Sequence, residues 1–104
     1  MTNSKYDLEE RTAKFAENII RIMKKVSLNT VNKPIISQLI RSSTSVGANY
    51  CEADDAESRL DFKHKIGICK KEARETKHWL RMLATSNPEI KDMLKPLWQE
   101  AKEL

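Results

Sequence analysis

The sequence predicts an all-α fold, specifically an antiparallel up-down-up-down four-helix bundle. Apolar residues recur at alternating spacings of three and four along four segments, which is the period of amphipathic helices that pack together. Only two glycines and three prolines occur among 104 residues, too few for the many turns of an all-β protein. Short polar connections join the segments, as in bundles whose consecutive helices are antiparallel neighbours. We therefore expect one domain over residues 1–104 with one core of modest size.

The first helix is predicted over residues 7–27 and has a wide apolar face. One stripe alternates steps of four and three and consists of Leu8, Thr12, Phe15, Ile19, Ile22 and Val26. A second stripe beside it consists of Ala13, Ala16, Ile20 and Met23. Together they cover about half of the helix circumference, more than a two-layer bundle requires. We expect Ala16, Ile20 and Met23 to contribute to an oligomer interface, and the alternative is one wide core face.

The second helix is predicted over residues 34–54, with Pro34 in its first turn. Small residues share its apolar period, which consists of Ile36, Leu39, Ser43, Val46, Tyr50 and Ala53. A parallel polar stripe holds Gln38, Ser42, Ser45, Asn49 and Glu52. Serine, threonine, glycine and asparagine are poor helix formers. We therefore expect this helix to pack closely against a neighbour, because only tight packing explains so many small residues.

The third helix is predicted over residues 59–86 and begins after Ser58. Ser58 and Asp61 form a capping-box-like pair, which marks a helix N-terminus. Trp79 and Met82 widen the apolar seam of this helix, and we assign both to the predicted oligomer interface.

The fourth helix is predicted over residues 88–104, with Asn87 as its cap and Pro88 as its first residue. Its period continues to the last residue of the sequence. Pro96 removes one backbone donor, so we expect the helix to kink or restart there.

Charged residues are sorted along the axis of the predicted bundle. Residues 18–40 carry four basic residues and no acid, and residues 70–95 carry seven basic and four acidic residues. Up-down topology brings these segments to one end, which then holds about +7 in a chain of net charge +4.

This basic end is a candidate binding surface for a nucleic-acid backbone. The residues that we assign to it are Lys24, Lys25, Lys33, Lys77, Arg81 and Lys91. The alternative is a solvated surface on which lysines near helix C-termini interact favourably with the helix dipole. The sequence shows no aromatic platform for stacking single-stranded bases, which argues against a module that reads bases.

No motif predicts an enzyme, a metal site or a cofactor, so we expect a protein without catalytic activity. Glu75 and His78 match half of a di-iron carboxylate motif, but a full site needs a second pair and two more inward-facing acids. Cys51 and Cys69 lack zinc-binding spacing and predict reduced thiols in a cytoplasmic protein. The sequence contains no apolar signal segment and no stretch near the ~20 apolar residues of a membrane span.

Arg41 is the charged residue whose position is most informative. If the second connection centres near residue 56, antiparallel packing places Arg41 level with Glu72, and Glu75 lies one turn further on. We predict a partly sheltered ion pair that fixes register and specificity rather than catalysing a reaction. A small bundle enzyme would need further cations that converge on these three residues.

Three motifs in this chain carry a family resemblance. The first is Gln38-Leu-Ile-Arg41-Ser-Ser-Thr-Ser45-Val-Gly47-Ala-Asn49, followed by Glu52-Ala53. The second is Lys71-Glu72-Ala73-Arg74-Glu75-Thr76, followed by Trp79-Leu80. The third is Asp7-Leu8 with Arg11-Thr12 and Phe15. Over nearly its whole length the chain resembles the bacterial 23S ribosomal RNA intervening-sequence proteins, also called four-helix bundle proteins.

The resemblance implies a closed antiparallel bundle that assembles as a ring-like homopentamer. A related accessory protein of diversity-generating retroelements binds RNA and a reverse transcriptase through a basic surface. The resemblance therefore implies RNA or DNA, or a protein, as the partner. The last helix of the family usually runs further than Leu104.

The sequence as a whole predicts a non-enzymatic, oligomeric accessory protein that binds nucleic acid, RNA above all, through the basic end. Its contacts would be made to the backbone and would depend little on base sequence. The alternative is a protein–protein adaptor or scaffold that binds no nucleic acid.

Overall fold

The computed structural model describes residues 4–104, with side chains from residue 8 onward. Four α-helices make up most of this range: α1 spans Ser4–Met23, α2 spans Asn32–Asp54, α3 spans Arg59–Ser86 and α4 spans Lys91–Glu103. The described chain contains no strand, so the predicted all-α bundle is confirmed. Residues 1–3 of the predicted domain lie outside the described residues.

The first helix ends earlier than the sequence suggests. α1 ends at Met23, where the predicted helix continues to residue 27. After Lys24, the amides bond to carbonyls only three residues back, with Lys25 N to Ile22 O at 3.0 Å and Val26 N to Met23 O at 3.2 Å. This tighter turn closes the helix, although the apolar period still runs to Val26.

The second helix begins at Asn32, two residues before Pro34, because a side chain from the connection caps it. Asn29 Oδ1 accepts hydrogen bonds from the amides of Val31 at 3.0 Å and Asn32 at 2.8 Å. The first amides of a helix have no partner within the helix, so this contact satisfies the amide of Asn32 and that of the residue before the helix.

The third helix begins where the sequence predicts, whereas the fourth begins later than predicted. Ser58 Oγ accepts a hydrogen bond from the Asp61 amide at 3.0 Å, which confirms the predicted cap of α3. A 3₁₀-helix spans Pro88–Ile90, and α4 then begins at Lys91. α4 continues through Pro96, so the restart lies before Lys91 rather than at this proline. Pro96 lies on the exposed side of the helix, where water can satisfy the carbonyl that it leaves unbonded.

The core lies where the four helices meet. Its buried residues are Phe15, Ile19, Met23, Ile36, Leu39, Leu80, Leu83, Leu94, Leu97 and Ala101. Met23 is only 4% exposed, so its assignment to an oligomer interface is wrong. The last turn of α1 packs Met23 inward, and the alternative of a wide core face holds at this position.

Contacts between α2 and α3 establish that these helices are antiparallel. Arg41 pairs with Glu72, and Glu52 pairs with Lys65 at 2.7 Å. Residue numbers on α3 therefore fall as those on α2 rise. Each helix packs against the next one in the chain, and α1 also contacts α4, which is compatible with up-down-up-down order.

The small residues of α2 lie in the seam with α3, as expected. Ser42, Ser43 and Thr76 are fully buried. Thr76 Oγ1 donates to Ser42 Oγ at 2.8 Å across the seam, and Cys69 Sγ donates to the Val46 carbonyl at 3.4 Å. Short side chains allow the two backbones to approach, and their hydroxyls find partners inside the seam.

A buried amide pair closes the end of the bundle where α2 begins and α3 ends. Asn32 Nδ2 donates to Asn87 Oδ1 at 2.9 Å, and Asn87 Nδ2 donates back to Asn32 Oδ1 at 2.9 Å. Asn32 also bonds to the Ser27 carbonyl at 2.9 Å and accepts from the Ser86 hydroxyl at 2.7 Å. This network ties both connections together, and the periodicity of the sequence gives no signal of it.

Candidate nucleic-acid interface

Four basic residues of α3 lie on a different side of the helix from Glu72 and Glu75. Lys70, Arg74, Lys77 and Arg81 follow steps of four, three and four, so they share about 60° of the helix circumference. These four residues line the side of α3 that packs against α4. Glu72 and Glu75 lie on the other side and pair with Arg41 of α2.

Charge is sorted in a similar but less complete way on α4. Lys91, Lys95, Trp98 and Lys102 repeat the steps of four, three and four and line the side that faces α3. The acid Asp92 pairs with Lys95 of this row. Glu100 and Glu103 instead pair with Arg11 of α1, although Glu103 also lines the seam with α3.

Arg11 of α1 holds these two acids. Its Nε lies 2.6 Å from Glu100 Oε2, and its Nη2 lies 2.8 Å from Glu100 Oε1 and 3.0 Å from Glu103 Oε1. The bidentate hydrogen bond with Glu100 raises the pKa of Arg11. Glu100 and Glu103 are therefore neutralised by a cation that does not belong to the basic rows.

The two basic rows meet in a surface depression between α3 and α4. Its larger part has a volume of about 530 Å³, and its floor is apolar because Leu80, Ala84 and Leu94 line it. A neighbouring part of about 270 Å³ continues along the same seam. We call this surface the α3–α4 basic groove, defined by Lys70, Arg74, Lys77, Arg81, Lys91, Lys95, Trp98 and Lys102.

Trp98 lies where the two parts of the groove join. Lys77 Nζ lies 5.3 Å from the centre of its ring, and Lys102 Nζ lies 5.7 Å from it. Both distances are within the range of cation–π contacts. Trp98 remains 38% exposed, so the groove does contain an aromatic surface, which the sequence-based interpretation missed. The spacing of Trp98 among three lysines was the signal that could have revealed it.

The six cations predicted for the basic end lie in two places. Lys77, Arg81 and Lys91 are in the α3–α4 basic groove. Lys24 and Lys25 follow α1, Lys33 lies in the first turn of α2, and all three are exposed. The structure thus brings three of the predicted residues together with Lys70, Arg74, Lys95 and Lys102, which the sequence-based prediction left out.

Arg41 contacts both acids that the register argument pairs with it. Its Nη1 lies 3.3 Å from Glu72 Oε1, and its Nη2 bonds to Glu75 Oε2. Its Nε donates to Gln38 Oε1 at 2.8 Å, so every guanidinium nitrogen has a partner. The hydrogen bond from Trp79 Nε1 lowers the pKa of Glu75, and Arg41 lowers it further. This arrangement joins α2 to α3 and gives each nitrogen of Arg41 a partner within the protein.

The other predicted interface residues differ in exposure. Ile20 is 38% exposed, and Ala16 and Met82 are half-buried. Trp79 is half-buried as well and packs against the core. Ile20 is therefore the large apolar residue of this set that is most accessible to a second molecule.

The remaining groups with reactive or ligating chemistry show no functional arrangement in the described part of the chain. Among residues 4–104 no cluster of three or more His, Cys, Asp or Glu residues is placed to hold a metal ion. Cys51 and Cys69 are free, and burial raises the pKa of both thiols, which disfavours the thiolate. No helix in this range is long and apolar enough to cross a membrane.

Comparison with known proteins identifies the family of this chain. The sequence profile of the 23S rRNA-intervening sequence protein family matches residues 4–104. The chain belongs to this family. The matched range includes α2 and α3, and thus the Arg41–Glu72–Glu75 contact and the α3 row of the groove.

A solved structure of a family relative shows the same fold. It is the 1.70 Å crystal structure of a protein with unknown function from the S23 ribosomal protein family of Bacteroides thetaiotaomicron VPI-5482. The TM-score is 0.82 and the sequence identity 28%, over 97% of this chain and 90% of that chain. The search of curated proteins returned no match.

Proposed function

We propose that this protein is a cytoplasmic, non-enzymatic nucleic-acid-binding protein that holds the backbone of RNA in the α3–α4 basic groove. The observation that supports this proposal is the pair of facing basic rows on α3 and α4. Phosphates are bound by such rows because each neutralised phosphate releases condensed counterions. The name of the family, which refers to an intervening sequence of 23S rRNA, favours RNA as the nucleic acid.

The groove cations are available for a ligand. Among the described residues, Lys95 is the one groove cation in an ion pair, with Asp92 at 3.3 Å. Glu100, Glu72 and Glu75 form their ion pairs with Arg11 and Arg41, whereas Glu103 pairs with Arg11 and also lines the groove beside Lys102. Like charges in one groove repel one another, so an anionic ligand removes an unfavourable interaction when it binds.

Two variants with the same change in net charge test this function. The groove variant is Arg74→Glu, Arg81→Glu, Lys91→Glu, and the loop variant is Lys24→Glu, Lys25→Glu, Lys33→Glu. All six residues are exposed. We expect the groove variant to bind RNA at least ~100-fold more weakly at about 50 mM salt. The slope of the logarithm of the binding constant against the logarithm of salt concentration should become less steep by about 2 to 3.

The loop variant should lose less than about 10-fold, because its residues lie outside the groove. Circular dichroism establishes that both variants are folded. Equal losses in the two variants would show that net charge alone governs binding. Wild-type affinity in a folded groove variant would contradict the proposal.

Self-association is the second part of the proposal. The exposed Ile20, next to Ala16 on α1, supports an interface with another copy of the chain, and Trp79 and Met82 add half-buried apolar surface. Sedimentation should give the wild type a multiple of the 12.0 kDa chain mass, and a pentamer is the expected state. Ile20→Glu should dissociate it, whereas Asn18→Glu, on the opposite side of α1, should not. A wild-type mass of one chain contradicts this part.

The apolar floor of the groove favours one alternative function. Ala84 and the exposed ring of Trp98 could also receive an acidic amphipathic helix of a protein partner, as in an adaptor. A pull-down that returns one protein, resists nuclease and is abolished in the groove variant would favour this alternative over RNA.

A further inference from the structure

We infer that Trp98 stacks on an unpaired base, so that the α3–α4 basic groove takes single-stranded rather than double-stranded nucleic acid. Lys77 and Lys102 then bind the phosphates on either side of that base. This inference rests on the proposed function and names the form of nucleic acid that the groove accepts.

The position of Trp98 supports the inference. The ring lies among the cations of the groove, with the ammonium groups of Lys77 and Lys102 at 5.3 Å and 5.7 Å from its centre. Those two lysines come from α3 and α4, so one lies on each helix that borders the groove. A nucleotide that stacks on the ring exchanges the cation–π contacts for contacts between ammonium groups and phosphates, which carry a full opposite charge.

The chemistry of the floor distinguishes a single strand from a duplex. A duplex presents phosphates and sugars to a protein surface and keeps its bases stacked inside. It would therefore satisfy the basic rows but leave the exposed ring of Trp98 without an apolar partner. A single strand offers both phosphates and flat base surfaces, and aromatic stacking within a basic groove is how proteins bind such strands without sequence preference.

The volume of the groove is consistent with a nucleotide. The larger part, about 530 Å³, is within the range of ~300–1,000 Å³ that is typical of small-molecule sites. Gln99 also lines this part and adds an amide that can donate to or accept from a base edge.

The test compares two RNA probes of equal length, a single-stranded oligouridylate of about 12 nucleotides and a duplex of about 12 base pairs. Binding is measured for the wild type, Trp98→Ala, Trp98→Phe and the groove variant defined above. For the single strand we expect Trp98→Ala to weaken binding by about 5- to 100-fold. Trp98→Phe should recover most of that loss, and the salt slope should not change, because no cation is removed.

A second readout requires no substitution. Iodouridine in the single strand should form a photochemical crosslink to Trp98 of the wild-type protein, located by mass spectrometry of the peptides. This site-specific result separates stacking from loss of stability in the Trp98→Ala variant.

Several results would overturn the inference while the proposed function stands. One is preferential binding of the duplex, and another is unchanged single-strand affinity in a folded Trp98→Ala protein. A third is that polyglutamate displaces the bound single-stranded probe as effectively as added oligouridylate does. That result would identify the groove as a general anion surface. Failure of the wild type to bind either RNA would contradict the proposed function itself.

Discussion

The helix α3 packs against α2 on one side and α4 on the other, and the two seams differ in chemistry. The α2–α3 seam is closed, with Ser42 and Thr76 fully buried and hydrogen-bonded to each other at 2.8 Å. The α3–α4 seam opens into a groove lined by lysines and arginines. In the closed seam, polar groups bond to other groups of the protein. In the open seam, most of the cations form no ion pair among the described residues.

This difference separates residues that maintain the fold from residues that are available to a ligand. Arg41, Glu72 and Glu75 satisfy one another across the closed seam. A cluster of ionised residues is often taken for an active site, but in this cluster the charges pair with one another and join two helices. The functional candidates are the cations that no acid neutralises.

The largest expected effect of a substitution lies in the closed seam. Ser42→Leu places a large side chain where the structure has no space, and it removes the hydroxyl that Thr76 contacts. We expect the free energy of unfolding to fall by about 3 kcal/mol, as for overpacked cores. Urea denaturation measures this change, and Thr44→Leu, on an exposed position of the same helix, should alter it by less than about 0.5 kcal/mol. A Ser42→Leu protein within about 1 kcal/mol of the wild type would show that the seam is not closed in solution.

The next effect concerns the amide network at the end of the closed seam. Asn32→Ala leaves the buried side chain of Asn87 without its reciprocal partner and removes the acceptor of Ser86. We expect a loss of about 2 kcal/mol in the free energy of unfolding, because unsatisfied buried polar groups are costly. Asn18→Ala removes an exposed asparagine of α1 and serves as the control in the same denaturation experiment. If both variants lose equally little, the network does not contribute to holding the two connections together.

A smaller effect of opposite sign is expected on the basic side of α3. A Cβ atom added at Gly67 would meet nothing within 4 Å, so Gly67→Ala should raise the free energy of unfolding by about 1 kcal/mol. Gly47 on α2 is the matched control, because a Cβ atom there would lie 3.3 Å from Thr12 Oγ1. Gly47→Ala should therefore gain less in the same thermal or urea denaturation. A destabilised Gly67→Ala protein would mean that another surface lies against this face of α3.

The smallest effect is the pH dependence of the Arg41–Glu75 contact. The pKa of Glu75 is lowered from the ordinary 4.5 by the indole of Trp79 and by Arg41. A carboxylate with a lowered folded pKa contributes stability that is complete above pH 4.5 and is lost as the pH falls towards the folded pKa. Because both side chains are partly exposed, we expect at most about 1 kcal/mol.

Denaturation of the wild type and Glu75→Gln at pH 7 and at about pH 3 tests this expectation. The stability advantage of the wild type should be smaller at the lower pH than at neutral pH. An advantage that does not decrease in acid would show that the Glu75 charge does not contribute to stability.

Local patterns in the sequence predicted several contacts correctly. Ser58 caps α3 because a serine three residues before Asp61 is a local signal. The contact of Arg41 with Glu72 follows from counting residues on either side of a short connection, since antiparallel helices of equal rise remain in register. The close packing of Ser42 and Ser43 follows from the poor helix propensity of serine.

Contacts that depend on how each helix is rotated about its own axis were not predictable from local sequence patterns. The wide face of α1 did not reveal that Met23 packs inward while Ile20 is exposed. Lys77 and Trp98 are close only because of how α3 and α4 pack. A helical period gives the angle between two side chains on one helix, but not which neighbouring helix each one faces.

The amino-acid sequence by itself determined the helical class, the order of four helices, the cap of α3 and the register of α2 against α3, because these depend on local periodicity and short connections. Only the tertiary structure decided that the cations of α3 and α4 line one groove around Trp98, and that Asn32 and Asn87 close one end of the bundle. Both arrangements join residues far apart in the chain, and packing of the whole core sets their distances.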